Sequence, residues 1–215
     1  MRLSSERRNA PTREKANLIR LFLKTPTPII ADAMDGRNTL SCLRPVLSRT
    51  AIIGPVVTVK TDPTDWGTVV RAVEAASPRD VLFIDSSGSN VAVWGGLTSR
   101  AAQQRGIVGT IVYGSCRDIP TIEALQYPVW MKGITARAGR PLNRGKVNVP
   151  INIGGLVVKP RDLAKADVHG VVIIPSNEVA SVAKRIKEIV AKERFVERGI
   201  KEGQLLSQLL SDFPS

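Results

Sequence analysis

Two cysteines, Cys42 and Cys116, are all that the chain contains, so neither a disulfide framework nor a four-ligand zinc set can be built from them. Histidine is scarcer still. His169 stands alone, which leaves a serine or cysteine nucleophile one candidate base, and no nucleophile motif accompanies it. Three Trp, two Tyr and four Phe offer few platforms for stacking bases, and no RNA-recognition, zinc-finger or helix-turn-helix pattern joins them. This argues against a nucleic-acid partner. No apolar run approaches membrane-spanning length, and the basic start Met1–Arg8 is not followed by an apolar signal core. A soluble, cytoplasmic protein is expected. Pro-rich, Gln-rich and Gly/Ser tracts are missing from the middle of the chain, and no solenoid-length repeat is present. The 215 residues, 43% of them hydrophobic, are therefore expected to form one domain over 1–215.

What the chain has in excess is positive charge, a formal net +12. Its distribution is uneven. No acidic residue falls between Glu123 and Asp162, a stretch that carries Lys132, Arg137, Arg140, Arg144, Lys146, Lys159 and Arg161. A second cluster, Arg7, Arg8, Arg13, Lys15, Arg20 and Lys24, marks the amino-terminal segment. Attraction of small anionic substrates, or solubility, accounts for such a surface without nucleic acid.

Strand and helix patterns alternate through the first two thirds. Pro11-Thr12 precede a helix over Arg13 to Leu23, Thr25-Pro26-Thr27-Pro28 break it, and Ile29 to Met34 form a short second helix. Extended segments follow at Ile52 to Lys60, Val81 to Asp85 and Val108 to Tyr113, the last ending at Gly114. Helices are expected between them, from Trp66 to Ala76 with Asp65 as cap, and from Leu97 to Gln104. Beyond Pro128 the pattern changes to short strands near Val129–Lys132, Val147–Ile151, Leu156–Lys159 and Gly170–Ile174. A long helix from Asn177 to Arg198 closes the chain. On it Val179, Val182, Ile186 and Ile189 recur at helical steps, and Glu193 and Val196 continue the same stripe. A carboxylate there must meet a cation, a metal-bound water or another subunit, or else the helix has already left the core.

Several motifs fail on inspection. Gly139 to Lys146 looks like a phosphate loop but has one residue too many between its glycines and Val147 where Ser or Thr belongs. Phe83 to Ser89 lacks the glycine spacing of a dinucleotide fingerprint. Asp167-Val168-His169-Gly170 reads as a turn, and Cys116 as a small buried residue. One pair survives. Arg117-Asp118 follows a strand, and the Trp94-Gly95-Gly96-Leu97 turn precedes the helix before that strand, so both can reach one end of a sheet. An aspartate can hold a hard cation there, and a guanidinium can face a carboxylate or enolate. A surface ion pair after a strand is the plain alternative.

Taken in order, Asp32-Ala33-Met34, Gly54 to Val59, Asp80 to Asp85, Trp94 to Leu97, Arg105 to Gly109, Gly114 to Asp118 and Asp167 to Val172 resemble the RraA-like family throughout. That family includes the regulator of ribonuclease E activity A and the class II 4-hydroxy-4-methyl-2-oxoglutarate aldolases. The resemblance covers roughly residues 25–198. Many members are also labelled demethylmenaquinone methyltransferase-like, a label that no methyl-donor motif in this chain supports.

The resemblance implies a compact α/β fold of the swivelling β/β/α type, with N- and C-terminal helices and assembly into homotrimers or homohexamers. It also implies a site at subunit boundaries, where Asp118 binds Mg2+ or Mn2+ and Arg117 contacts the keto oxygen of a small 2-oxo acid. Backbone amides of Gly95, Gly96 and Leu97 would hold the substrate carboxylate, and Glu193 would enter from a neighbouring subunit. The implied chemistry is retro-aldol cleavage or oxaloacetate decarboxylation, which share a pyruvate enolate. Two departures stand out. Gly96 occupies a position where the aldolases carry Asp or Glu, and Pro141 one where they can offer lysine, with Arg140 adjacent. The resemblance thus also allows a non-catalytic ring that binds and regulates a ribonuclease or other protein partner.

Overall fold

A computed structural model describes residues 13–211. The Pro11-Thr12 helix start, Arg7 and Arg8, and the side chains of Arg13 and Lys15 lie outside the described residues. Helices α1 (Arg13–Lys24) and α2 (Thr27–Asp32) come first, then two short strands, β1 (Thr39–Leu40) and β2 (Arg44–Pro45). The central run is β3 (Ile52–Lys60), α3 (Gly67–Ala75), β4 (Val81–Asp85), β5 (Ala92–Trp94), α4 (Gly96–Gln104), β6 (Gly109–Cys116) and α5 (Ile119–Ala124). Short strands follow: β7 (Val129–Ile134), β8 (Lys146–Val147), β9 (Ile151–Ile153), β10 (Leu156–Val158), β11 (Leu163–Asp167) and β12 (Gly170–Ile174). The described chain closes with α6 (Val179–Lys201) and α7 (Leu206–Ser211).

The main sheet runs β1-β12-β11-β3-β4-β6-β7-β2, with β5 paired to β6 and β8 to β3. Its centre, β3-β4-β6-β7, is parallel, while β11, β12 and β1 extend it antiparallel from β3. This is the swivelling β/β/α type of α/β fold. β4 is buried at all five positions, as a parallel strand covered on both faces must be. Leu82 and Ile84 join Val57, Val59, Val69 and Val73 under the central helices. Val81 and Phe83 point the other way, packing with Val56, Ile111, Trp130 and the β9-β10 hairpin. A third cluster seats Phe22, Ile30, Met34, Val182 and Ile186 of α1, α2 and α6 on Ile53, Val172 and Ile174. Each such side chain contributes roughly 1.5–3 kcal/mol of burial.

Several expectations change in detail. β6 does not end at Gly114 but continues to Cys116, pairing Ser115 with Ala92 and with Gly133. Ser86 fills the space where a side chain at Gly114 would sit, so glycine serves close packing inside the strand. The segment read as one strand over Val147–Ile151 divides into β8 and β9. Asp167 and Gly170 pair across a two-residue hairpin turn at Val168-His169, as the sequence indicated. No helix among the described residues is long and apolar enough to cross a membrane.

Candidate active site at the carboxyl end of β6

The main chain brings the two candidate segments together. The amide of Arg117 donates to the carbonyl of Trp94 at 3.1 Å, joining the end of β6 to the end of β5. Asp118 then adopts a left-handed conformation, φ 57° and ψ 37°, which Asp and Asn tolerate better than other residues with a β-carbon. Its carbonyl accepts from Thr121 and Ile122, opening α5. The side chain is thereby turned back onto the glycine turn. Gly96 N–H donates to Asp118 Oδ2 at 3.1 Å. Arg117 Nε lies 3.6 Å from the same oxygen, with the two side chains 46% and 44% exposed. At that exposure the ion pair contributes under about 1 kcal/mol, so stability alone gives little reason for both charges.

The glycines here are set by close approach. A β-carbon on Gly95 would lie 2.7 Å from Asp118 Oδ2, and one on Gly96 would lie 2.7 Å from Thr121 Cγ2. Thr121 thus occupies the space that an acidic side chain at Gly96 would need. Gly96→Asp is expected to lower stability by about 1–3 kcal/mol through overpacking, with part of that loss recovered in Gly96→Asp/Thr121→Ala. Urea melts of both variants would measure this, and an unshifted single variant would contradict the packing.

Of the three amides expected to receive a carboxylate, Gly95 donates to Thr98 Oγ1 at 3.0 Å and Gly96 to Asp118. Leu97 as a residue is 85% exposed. A cavity of about 360 Å³ opens beside these groups, and Gly95, Leu97, Arg117 and Asp118 all line it. Trp66 forms another wall, held by a 3.1 Å hydrogen bond from Nε1 to the carbonyl of Gly139. Sequence reasoning missed Thr98 and Thr121, although Thr98 sits at the third position of α4, from which a polar side chain can reach back to the amide that precedes the helix.

Glu193 is not brought to this site within one chain. It is exposed on the outer part of α6, after Val182 and Ile186 have entered the core. Cys116 is fully buried, and burial pushes its thiol up, away from reactivity. His169 uses its backbone N–H to bind Asp167 Oδ1 at 2.9 Å. In the phosphate-loop lookalike, the amides of Leu142, Asn143 and Arg144 all point at the carboxylate of Asp65. The loop does cradle an anion, and the anion is a side chain of the same protein.

The RraA-like family pattern, described as Aldolase/RraA, matches residues 27–173. The chain belongs to this family. A Halalkalibacterium halodurans relative, provisionally named 4-hydroxy-4-methyl-2-oxoglutarate aldolase, is 35% identical over 86% of this chain and 90% of its own. An uncharacterized Pseudomonas syringae protein of known structure superposes with a TM-score of 0.79 at 26% identity, covering 90% of this chain and 96% of that one. The RNA-processing inhibitor RraA from Thermus thermophilus has a TM-score of 0.65 at 25% identity, covering 71% and 93%. The RraA-like fold thus accounts for the sheet and helices that place Arg117 and Asp118.

Proposed function

We propose that this RraA-like protein is a divalent-metal-dependent carbon–carbon lyase of the 4-hydroxy-4-methyl-2-oxoglutarate aldolase or oxaloacetate decarboxylase type. The observation that carries the reading is the meeting of Arg117, Asp118 and the Gly95-Gly96 turn at one end of the sheet, beside a cavity. Ligands often bind where parallel strands end in this way. No group of three or more His, Cys, Asp or Glu gathers as a metal cluster among the described residues. Magnesium nevertheless commonly uses one or two carboxylates, with the remaining positions filled by water and substrate oxygens. Asp118, half exposed and fixed at Oδ2 by Gly96 N–H, fits that donor chemistry and would hold Mg2+ or Mn2+. The ion supplies positive charge next to a bound 2-oxo acid.

The chain's own groups divide the remaining work. Leu97 N–H and the start of α4 favour the substrate carboxylate. Arg117 faces the keto oxygen, so charge that develops as the carbon–carbon bond breaks into a pyruvate enolate meets a fixed guanidinium. Gly96 N–H holds the Asp118 carboxylate in one orientation through the cycle. Purified protein assayed with Mg2+ or Mn2+ against oxaloacetate and 4-hydroxy-2-oxo acids tests this reading. Turnover that is lost with a chelator and restored by metal is expected, and activity no greater than that of an Asp118→Asn control would sink it.

A second reading has its own observation. Thr121 fills the acid's place beside Gly96, which leaves Asp118 as the one carboxylate against the glycine turn among the described residues. A ring that regulates a ribonuclease or another protein partner needs no more than this. Either reading uses an assembly. Leu205, just before α7, and Leu206 and Leu210 of α7 are 62%, 51% and 52% exposed, an apolar face suited to burial against another copy. A homotrimer or homohexamer is the expected mass in light scattering. A monomer would contradict a shared site that includes Glu193.

A further inference from the structure

The cavity beside Arg117 and Asp118 extends well beyond what a three-carbon substrate needs. Its walls are two helix faces. Val70, Val73 and Glu74 of α3 line one side, while Leu97, Ala101 and Arg105 line the other; these are the three- and four-residue steps that put side chains on one face. Val93 and Trp94 of β5 form the floor. Because β3, β4, β5 and β6 are parallel, α3 and α4 both run back from the end of the sheet that carries Arg117. The groove between them therefore starts at the charged pair and follows α4 for about 12 Å, the rise from Leu97 to Arg105 at about 1.5 Å per residue. Arg105 closes the distal end by donating from Nη2 to the carbonyl of Glu74 at 2.6 Å.

Polar groups are concentrated at the two ends. Between them Val70, Val73, Val93, Trp94, Leu97 and Ala101 give water almost nothing to hydrogen-bond. The cavity, about 360 Å³, lies within the usual range of ligand pockets, roughly 300–1,000 Å³, and exceeds the volume of a pyruvate molecule. A pocket with one polar end and apolar walls selects an amphipathic ligand, head at the polar groups and body along the walls. We infer that the groove between α3 and α4 takes the apolar side chain of the substrate, so that the preferred ligand is a 2-oxo acid bearing several aliphatic carbons. This assignment rests on the 2-oxo acid reading above and specifies its substrate class.

Calorimetric titration with a graded series tests it: pyruvate, 2-oxobutyrate, 2-oxohexanoate and 2-oxooctanoate in saturating Mg2+, with octanoate as the chain lacking the keto group. Kd should fall by about fourfold for each added methylene until the groove is full. Octanoate should bind more weakly than 2-oxooctanoate. Ala101 is an exposed helical position on the wall, where a large side chain can be carried without unfolding the core. Ala101→Trp should cut the ratio of pyruvate Kd to 2-oxooctanoate Kd by tenfold or more. Pyruvate binding with a Kd that stays constant or rises along the series would overturn the groove assignment alone. Equal binding of octanoate and 2-oxooctanoate would overturn the 2-oxo acid head, and with it this substrate class. Absence of binding by every member would overturn both.

Discussion

Asp118→Asn should lower kcat/KM for metal-dependent cleavage of a 2-oxo acid by about 10³, while the urea midpoint stays close to that of the wild type. Asparagine is the informative replacement because residue 118 has φ 57°. Alanine would add about 1–2 kcal/mol of left-handed backbone strain to any loss of chemistry, whereas asparagine tolerates the conformation and can still accept the Gly96 N–H. What it removes is the negative charge. Losing one preorganised charge-stabilising group at a reacting centre typically costs 10²–10³ in kcat, and a lost metal ligand adds weakened affinity. Arg117→Lys keeps the charge but not the planar fork, and about 10² is expected. The double variant should fall well short of the product of the two losses, because both groups act on one developing charge. Raised Mg2+ should recover part of the Asp118→Asn loss and none of the Arg117→Lys loss. Turnover by Asp118→Asn within a few-fold of wild type would remove Asp118 from the mechanism.

That pair was legible in the sequence because local rules govern it: an apolar run defines β6, and charges appear where the run stops. β3 and β4 were legible for the same reason, as β-branched and apolar runs bounded by turn residues. β11 was not. Its sequence Leu-Ala-Lys-Ala-Asp breaks any apolar pattern, yet Lys165 is buried and donates from Nζ to the carbonyl of Leu23 at 2.9 Å, and Asp167 accepts from Thr27 N–H and Oγ1. Burial lowers the affinity of that amine for its proton, and the nearby charge of Asp167 opposes the effect. Short elements escaped too, since three residues of β5 and six of α5 carry no usable period. Within the site, the left-handed Asp118 and the space filled by Thr121 depend on tertiary contact. Glu193 could be placed on a helical stripe but not on a partner, because it is exposed on α6 within one chain. The walls of the groove were hidden for a related reason: Val70 and Val73 look like ordinary core positions until α4 is seen opposite them.

The largest stability effect should come from a residue that sequence spacing marked only as a helix cap. Asp65 is fully buried. Its Oδ1 accepts from the amides of Gly67, Leu142 and Asn143 at 2.8, 2.9 and 3.0 Å, and its Oδ2 from Thr68 Oγ1 at 2.7 Å and the amide of Arg144 at 2.9 Å. Burial by itself would raise its pKa, but the hydrogen bonds from Thr68, Arg144, Asn143 and Gly67 outweigh that and hold the carboxyl well below the usual carboxylate range. Asp65→Asn substitutes an NH2 for one oxygen and sets donor against donor in a closed site. A loss of about 3–5 kcal/mol is expected in urea unfolding. The pH dependence has a definite sign. Because the native pKa is depressed, the stabilisation is fully present above the ordinary carboxylate pKa of about 3.9 and disappears as pH falls below it toward the native value. The wild type should therefore lose stability on acidification through that window, and Asp65→Asn should lose less. An equal slope in the two proteins would show that Asp65 does not carry this charge. The same carboxylate ties the segment from Leu142 to Arg144 to the start of α3, next to Trp66, whose indole holds Gly139. Loosening it should blunt the tail-length dependence of ligand binding as well as stability, since Asp65 fixes the start of α3, whose Val70 and Val73 line the groove.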